Sequence, residues 1–287
     1  MSVYRTDSGR DTLLSCYDAA LDDLSLDVSE RTVSTRHGDT HLLCAGPDAA
    51  PPVLVVHGAN ATNPMTLSWV AGLADDYRLI APDVIGQPGY SATTRPDPRG
   101  DAFGEWIVDL FDAVGVTSAP AIGVSYGAGI LLRTAAVAPD RLDRAALVVP
   151  AGFGTGSMVG MASLGASSLT YCFSGNGFAL DHALGRLMTD PDGDPIARET
   201  VAASLRHVNL ETRFPEATAA DIAGFDAPVA LFLASEDPFF PPSSVASRAR
   251  ERLTNLVGVT TLDGESHILS AAARERVCRE IAAFVDG

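Results

Sequence analysis

The chain has 287 residues, of which 46% are hydrophobic, and it carries a formal net charge of −16. This size and apolar fraction allow a large buried core, and the negative charge disfavours nucleic acid and anionic membranes as partners. No run of roughly 18 uninterrupted apolar residues occurs, so no membrane span is expected. The four cysteines lie far apart with no C-x-x-C spacing, which favours buried free thiols over disulfides or zinc ligands.

Arginine supplies all 20 basic residues, and lysine is absent. A GC-rich genome would produce this bias by replacing lysine codons with arginine codons. A high-salt cytoplasm would favour a surface of Asp and Glu, because salt screens the repulsion between them. The composition resembles that of halophilic archaeal proteins, and we favour this second explanation. The first residues contain no apolar h-region, so we expect no secretory signal peptide and a cytoplasmic location.

Hydrophobic periodicity predicts strands that alternate with helices along most of the chain. The clearest helix is Phe103–Val114, where apolar residues recur at i, i+3, i+4, i+7 and i+8. Further helices are predicted over residues 9–23, 63–73, 128–137, 182–188, 196–208 and 270–285. Strands are predicted over residues 31–35, 40–44, 51–56, 77–81, 119–122, 145–149, 229–234 and 257–262, with a hairpin turn at 37–39.

Continuous apolar runs such as residues 51–56 are typical of strands buried on both faces of a parallel sheet. We therefore predict an α/β protein with a doubly wound, mostly parallel sheet. The alternation stops between Pro150 and about Phe225, and residues 151–180 contain no charged residue. This interruption predicts an inserted helical cap with an apolar underside. The predicted division is a core of residues 1–150 and 223–287 and a cap of residues 151–222.

The stretch Gly123-Val-Ser-Tyr-Gly127 is a G-x-S-x-G motif between a predicted strand and a predicted helix. In this context the motif is typical of a nucleophile elbow, in which a sharp turn exposes the serine hydroxyl. The residues two before and two after Ser125 must be small, because strand and helix pass closely there. The helix also directs free backbone N–H groups toward an anion beside the serine. The alternative is a glycine-rich turn with an incidental serine.

A serine hydroxyl needs an imidazole to take its proton and a carboxylate to orient that imidazole. Asp237 follows the strand at 229–234, and His267 follows the strand at 257–262. Ligands bind at the carboxyl ends of the strands in open α/β sheets, so Ser125, Asp237 and His267 are expected to converge. We predict that they are the nucleophile, the acid and the general base. A surface or helix-capping role is the alternative for His267.

Attack on an ester carbonyl builds negative charge on its oxygen, which fixed donors must stabilise. We predict that these donors are the backbone N–H groups of Tyr126 and of Ala59, in the loop after the strand at 51–56. His57 is expected to order that loop by hydrogen bonding. The remaining histidines are predicted to be structural or solvent-exposed, with the last two also candidates for the border of the substrate: His37, His41, His182 and His207.

Five motifs together resemble the α/β-hydrolase superfamily, from about Arg31 onward. They are Val55-Val-His-Gly-Ala59, Asp83-Val-Ile-Gly86, Gly123-Val-Ser-Tyr-Gly127, Glu236-Asp-Pro-Phe-Phe-Pro241 and Gly264-Glu-Ser-His267. Within that superfamily, Tyr77–Gly86 and Trp106–Val116 look like the naproxen-type bacterial carboxylesterases. The resemblance implies a capped sheet and a two-step acyl-enzyme hydrolysis. It also assigns the acid to Asp237 rather than to the adjacent Glu236.

The uncharged stretch at 151–180 favours an apolar acyl or alcohol group over a charged substrate. The residues predicted to contact this group are Asn60, Met158, Met161 and Phe173. We expect a small-molecule ester as the partner, with no cofactor and no metal. A serine at position 125 disfavours a dehalogenase or epoxide hydrolase, which would need an aspartate there. A carbon–carbon bond hydrolase, a cofactor-free haloperoxidase, an acyltransferase and, more remotely, a non-catalytic binding protein remain as alternatives.

The halophile explanation predicts that molar KCl raises the thermal unfolding temperature, because salt screens the repulsion among surface carboxylates. Melting curves recorded in dilute buffer and in molar KCl measure this effect. A melting temperature that stays flat or falls as KCl is added would instead indicate codon usage.

Overall fold

An eight-stranded sheet runs through the centre of the protein. The computed structural model describes residues 2–154 and 156–287, except for the side chains of residues 158–161, 163 and 164. The strands are β1 (Val28–Thr35), β2 (Gly38–Ala45), β3 (Pro52–Val56), β4 (Arg78–Pro82), β5 (Ala119–Val124), β6 (Leu142–Val148), β7 (Val229–Ala234) and β8 (Leu256–Leu262). Their order across the sheet is β1-β2-β4-β3-β5-β6-β7-β8.

Most neighbouring strands are parallel. β1 and β2 form an antiparallel hairpin and β2 pairs antiparallel with β4, whereas the remaining pairs are parallel. The predicted fold class is therefore confirmed. The hairpin turn lies at Arg36 and His37, slightly earlier than predicted, because Gly38 with its φ of 116° already begins β2.

Helices cover both faces of the sheet. In the part of the chain that the structure describes, they are α1 (Asp7–Asp22), α2 (Asn63–Leu67), α3 (Ala102–Val114), α4 (Tyr126–Val137), α5 (Met158–Ser174), α6 (Gly177–Leu187), α7 (Pro195–His207), α8 (Pro242–Arg252) and α9 (Ala271–Asp286). One buried cluster joins α3, α4 and α8 to one face of the sheet. A second joins α1, α6, α7 and α9 to the other face. The sheet is therefore doubly wound, as predicted.

The single helix predicted over residues 63–73 is wrong in its second half. α2 ends at Leu67, and a 3-10 segment, Ser68–Asp75, follows it. Val70 interrupts that segment with non-helical dihedral angles, φ −125° and ψ 16°. The tighter segment buries Trp69, Val70 and Leu73 together. Contact with the sheet therefore overrides the helical period that the sequence pattern shows.

The three helices between β6 and β7 pack against one another, with α5 contacting both α6 and α7. The division into core and cap stays a prediction, but α1 also packs against α7 and Tyr4 pairs with Val208. The start of the chain is thus bound to the cap segment. Across residues 2–154 and 156–287, none of the helices combines the length and hydrophobicity of a membrane-spanning segment.

The cysteines are free thiols of intermediate exposure: Cys16, Cys44, Cys172 and Cys278. The prediction of free thiols is confirmed, but the thiols are partly exposed rather than buried. Partial burial still raises the pKa of the Cys44 and Cys278 thiols, because it disfavours the thiolate.

A cluster of titratable side chains is packed beside the end of β4. The Nε2 atom of His41 lies 2.9 Å from Glu30, and its Nδ1 atom lies 3.3 Å from Asp83. Asp83 also accepts hydrogen bonds from the Tyr17 hydroxyl and the Tyr90 backbone N–H, both at 2.8 Å. Burial alone would lower the pKa of His41, but the hydrogen bonds and negative charges of Asp83 and Glu30 outweigh it and raise that pKa.

The raised pKa of His41 predicts a pH-dependent contribution to stability. The ion pairs stabilise the fold fully below the unfolded-state pKa, near 6.5, and this contribution is lost as the pH rises through the higher folded-state pKa. His41→Gln should therefore lower the free energy of unfolding more at pH 6 than at pH 9. Urea denaturation at both pH values measures the difference, with His182→Gln at an exposed position as the control. An equal effect of His41→Gln at both pH values would contradict the prediction.

Candidate active site

Ser125 occupies a sharp turn between β5 and α4. Its φ of 53° and ψ of −112° are strained for a residue other than glycine. Three backbone hydrogen bonds hold it there: its N–H donates to Val148 at 2.9 Å, and its carbonyl accepts from Ala128 at 3.0 Å and from Ala151 at 3.1 Å. The residue is 8% exposed. This backbone conformation is the sharp strand-to-helix turn that the motif predicts.

The two glycines of the motif are required by close backbone contacts. A Cβ atom at Gly123 would lie 2.6 Å from Cα of Ala128, in α4. A Cβ atom at Gly127 would lie 2.1 Å from the carbonyl oxygen of Val56, at the end of β3. Any side chain at either position would push α4 away from the strands. The prediction that both positions must be small is confirmed.

The structure brings Ser125, His267 and Asp237 together. The Ser125 hydroxyl lies 2.9 Å from Nε2 of His267, and Nδ1 of His267 lies 2.8 Å from Oδ2 of Asp237. Asp237 comes from the loop after β7, and His267 from the loop after β8. The adjacent Glu236 is exposed, whereas the Asp237 side chain is 1% exposed.

Hydrogen bonding determines which nitrogen of His267 carries the proton. A carboxylate only accepts hydrogen bonds, so Nδ1 donates to Asp237 and Nε2 accepts from the Ser125 hydroxyl. The other oxygen of Asp237 accepts the backbone N–H groups of Phe239 at 2.7 Å and Phe240 at 3.1 Å. The edge-on Phe239 ring, centred 4.9 Å from the imidazole ring, supports the orientation of His267.

The loop after β3 passes directly beside Ser125. A Cβ atom at Gly58 would lie 3.5 Å from Cβ of Ser125. His57 orders the loop as predicted: Nδ1 donates to the Gly58 carbonyl and Nε2 accepts from the Val84 N–H, both at 2.8 Å. Because Nε2 accepts a hydrogen bond, the ring is neutral, and burial lowers the pKa of His57 accordingly.

The two predicted oxyanion donors belong to the residues that follow Gly58 and Ser125 in the chain. Tyr126 is the first residue of α4, so its N–H has no acceptor within the helix. Ala59 follows Gly58 and borders the same cavity as Ser125. Among the described residues, neither N–H donates a backbone hydrogen bond. Both groups are therefore available to a ligand atom beside the serine.

A cavity of about 270 Å³ opens beside Ser125 and His267. Most of its wall is apolar. The apolar residues come from the 3-10 segment, the end of α7 and the loops after α7, β7 and β8: Trp69, Leu205, Leu210, Phe214, Phe239 and Ile268. The loop at 209–214 carries no periodic signal, and residues 63–73 were predicted only as a helix. The sequence therefore identified neither segment as a wall of the site.

The residues predicted to contact the substrate do not all lie at the cavity. Asn60 borders the cavity, but both polar groups of its amide bind the backbone of Glu211, at 2.8 and 3.0 Å. Phe173 is 89% exposed and absent from the described lining of the cavity, which corrects its assignment. It shares with Leu169 a face of α5 that is turned to solvent. The side chains of Met158 and Met161 lie outside the described residues.

Comparison with known proteins identifies the class of fold. Residues 51–170 match the family model of the alpha/beta hydrolase fold. The carboxylesterase YbfK of Bacillus subtilis is 31% identical over 135 residues, which are 47% of this chain and 46% of that protein. The matched sequence thus spans about half the length of this relative. The chain has the α/β-hydrolase fold, and its predicted resemblance to that superfamily is confirmed.

Two solved structures extend the likeness over nearly the whole chain. The carboxylesterase CesB (YbfK) from Bacillus subtilis superposes with a TM-score of 0.81 at 22% identity, covering 96% of this chain and 98% of that one. The naproxen esterase (carboxylesterase NP) from Bacillus subtilis superposes with a TM-score of 0.78, also at 22% identity, covering 96% and 99%. The fold is therefore shared over 96% of this chain.

Proposed function

We propose that this protein is a serine hydrolase that cleaves carboxylic esters with apolar groups through an acyl-enzyme intermediate. The observation that carries the proposal is the hydrogen-bond chain from Ser125 through His267 to Asp237, with spacings of 2.9 and 2.8 Å. Further support comes from the largely apolar cavity beside the serine and from the likeness to carboxylesterases.

In the first step, Nε2 of His267 takes the Ser125 proton while the hydroxyl oxygen attacks the ester carbonyl. The N–H groups of Ala59 and Tyr126 stabilise the negative charge on the carbonyl oxygen. The imidazolium, stabilised by Asp237, then gives its proton to the departing alcohol and leaves an acyl-serine. In the second step, His267 removes a proton from water, which attacks the acyl group. The acid is released, and the proton returns to Ser125.

No observation favours a carbon–carbon hydrolase, a haloperoxidase or an acyltransferase over ester hydrolysis. A non-catalytic binding protein would have no need for the Ser125–His267–Asp237 hydrogen bonds, so this alternative is disfavoured as well. The explanation of the acidic, lysine-free composition by a high-salt cytoplasm stays a prediction from the sequence, and so does the cytoplasmic location.

The acid can be tested with two neighbouring carboxylates. Asp237→Asn should lower kcat by about 10³- to 10⁴-fold, because an amide no longer holds His267 in the required tautomer. Glu236→Gln should change kcat little, since Glu236 is exposed. Initial rates with p-nitrophenyl esters, compared with circular dichroism spectra of both variants, measure the effect. A greater loss of kcat in Glu236→Gln than in Asp237→Asn would show that the assignment of the acid to Asp237 is wrong.

Covalent chemistry at Ser125 predicts a single site of labelling. A fluorophosphonate reagent should add one group at Ser125 and inactivate the enzyme, and labelling should slow in acid, because a protonated His267 cannot accept the hydroxyl proton. Ser125→Ala should stay folded and lose nearly all turnover. Ser168→Ala is the matched control, since Ser168 borders the same cavity and its variant should still be labelled. Mass spectrometry of the labelled peptides locates the group. A label elsewhere, or full activity of Ser125→Ala, would refute the proposed function.

A further inference from the structure

One carboxylate lies in the otherwise mainly apolar wall of the proposed active site. Glu211, in the loop after α7, borders the same cavity as Ser125 and His267. Its side chain is 6% exposed. The proposed mechanism gives it no part, because the acid of the hydrogen-bond chain is Asp237. A buried carboxylate beside a nucleophile therefore needs a separate explanation.

The two oxygens of Glu211 have unequal surroundings. Oε1 accepts the backbone N–H groups of Thr212 at 3.0 Å and of Arg213 at 2.9 Å. Nε of Arg213, a side chain that is 60% exposed, also lies 3.5 Å from this oxygen. Oε2 has no hydrogen bond to any residue that the structure describes. Half of the carboxylate is thus bound by the chain, and the other half is left to accept a hydrogen bond.

Polar contacts fix the position of Glu211 in the wall. The side-chain oxygen of Asn60 accepts the Glu211 N–H at 2.8 Å, and its Nδ2 donates to the Glu211 carbonyl at 3.0 Å. The Asn60 N–H in turn donates to the side chain of Gln87, which is 2% exposed, at 2.8 Å. Asn60 adopts a left-handed φ of 57°, which asparagine tolerates well. The carboxylate is therefore held on a rigid support beside the loop of Ala59.

A carboxylate removed from water without hydrogen bonds is strongly destabilised. Binding pockets that are mostly apolar usually contain a few polar groups, and these orient the ligand. A ligand atom that donates a hydrogen bond to Oε2 would give this oxygen the partner that the described residues do not supply. An apolar group in the same place would leave the oxygen unpaired.

We propose that Glu211 selects substrates by accepting a hydrogen bond from a hydroxyl or ammonium group of the ester. The substrate class is then an ester whose apolar acyl or alcohol part also carries such a donor. This inference rests on the proposed function and specifies the substrate. It modifies the expectation, drawn from the uncharged stretch at 151–180, that an apolar acyl or alcohol group is favoured over a charged substrate.

The test compares matched esters in the wild type and in Glu211→Gln. One series contains the p-nitrophenyl esters of ω-hydroxyhexanoic, ω-aminohexanoic and heptanoic acids, and the other contains the hexanoates of ethylene glycol and propanol. The wild type should prefer a donor-bearing ester over its methyl-terminated counterpart in at least one series. Glu211→Gln should lower that ratio of kcat/KM by about 10- to 100-fold, the range expected for a hydrogen bond to a charged group. The hydroxyl and amine arms distinguish the two kinds of donor.

The glutamine substitution separates recognition from a structural role. Its oxygen can still accept from Thr212 and Arg213, whereas its amide nitrogen presents a donor to the cavity in place of an acceptor. Glu216→Gln is the matched control: Glu216 is on the same loop, is 36% exposed, and is absent from the described lining of this cavity. The control should keep the wild-type ratio. If Glu211→Gln also keeps it, or if the wild type shows no preference in either series, the inference is wrong.

A binding measurement distinguishes failure of this inference from failure of the proposed function. Calorimetry measures the affinity of Ser125→Ala for the same esters, with and without Glu211→Gln. The donor-bearing esters should bind more tightly, and the additional substitution should remove that advantage. If the wild type hydrolyses no ester, the proposed function fails, and the binding ratios still decide the role of Glu211. If hydrolysis occurs, but Glu211→Gln changes neither the ratio of kcat/KM nor the ratio of affinities between donor-bearing and methyl-terminated esters, only the proposed role of Glu211 is wrong.

Discussion

The close contact of α4 with the ends of β3 and β5 determines the geometry of the proposed site. The backbone at Gly127 leaves no room for a side chain against Val56, and Gly123 leaves none against Ala128. Larger residues would displace the helix and release Ser125 from its strained φ of 53°. Because the turn is held at the carboxyl edge of the sheet, the Ser125 hydroxyl meets side chains from the loops that follow neighbouring strands.

Polar contacts connect the cap segment to two of those loops. Asn60 binds the backbone of Glu211 on one side of the cavity. On the other side, the hydroxyl of Thr189 donates to Glu265 at 2.8 Å, and Glu265 also accepts the N–H of Ser270 at 2.8 Å. The loops that carry Ala59 and His267 are thus each joined to the segment between β6 and β7. The shape of the cavity depends on these contacts as well as on the sheet.

Much of the core could be predicted from the sequence, because its signals are local. A strand covered on both faces has to be apolar throughout, and β7 is predicted with its observed limits, Val229–Ala234. The elbow needs small residues at fixed offsets from Ser125. The prediction of secondary structure was weaker where tertiary packing, rather than a periodic apolar pattern, determines the conformation of the chain. The helix of residues 63–73 changes to a 3-10 segment in order to bury Trp69, and α5 is built largely from small residues without an apolar stripe.

The sequence by itself determined the order of the three predicted site residues along the chain. A serine, an acid and a histidine each follow a predicted strand. Parallel strands bring their carboxyl ends to one edge, so this order is sufficient to predict that the three side chains meet. Only the tertiary structure decided which residues surround these three side chains. Exposure of Phe173 and burial of Glu211 depend on how α5 and the loop after α7 pack, which no local pattern encodes. Side-chain direction in an irregular loop follows from long-range contacts, such as the pairing of Asn60 with Glu211 across 151 residues of chain.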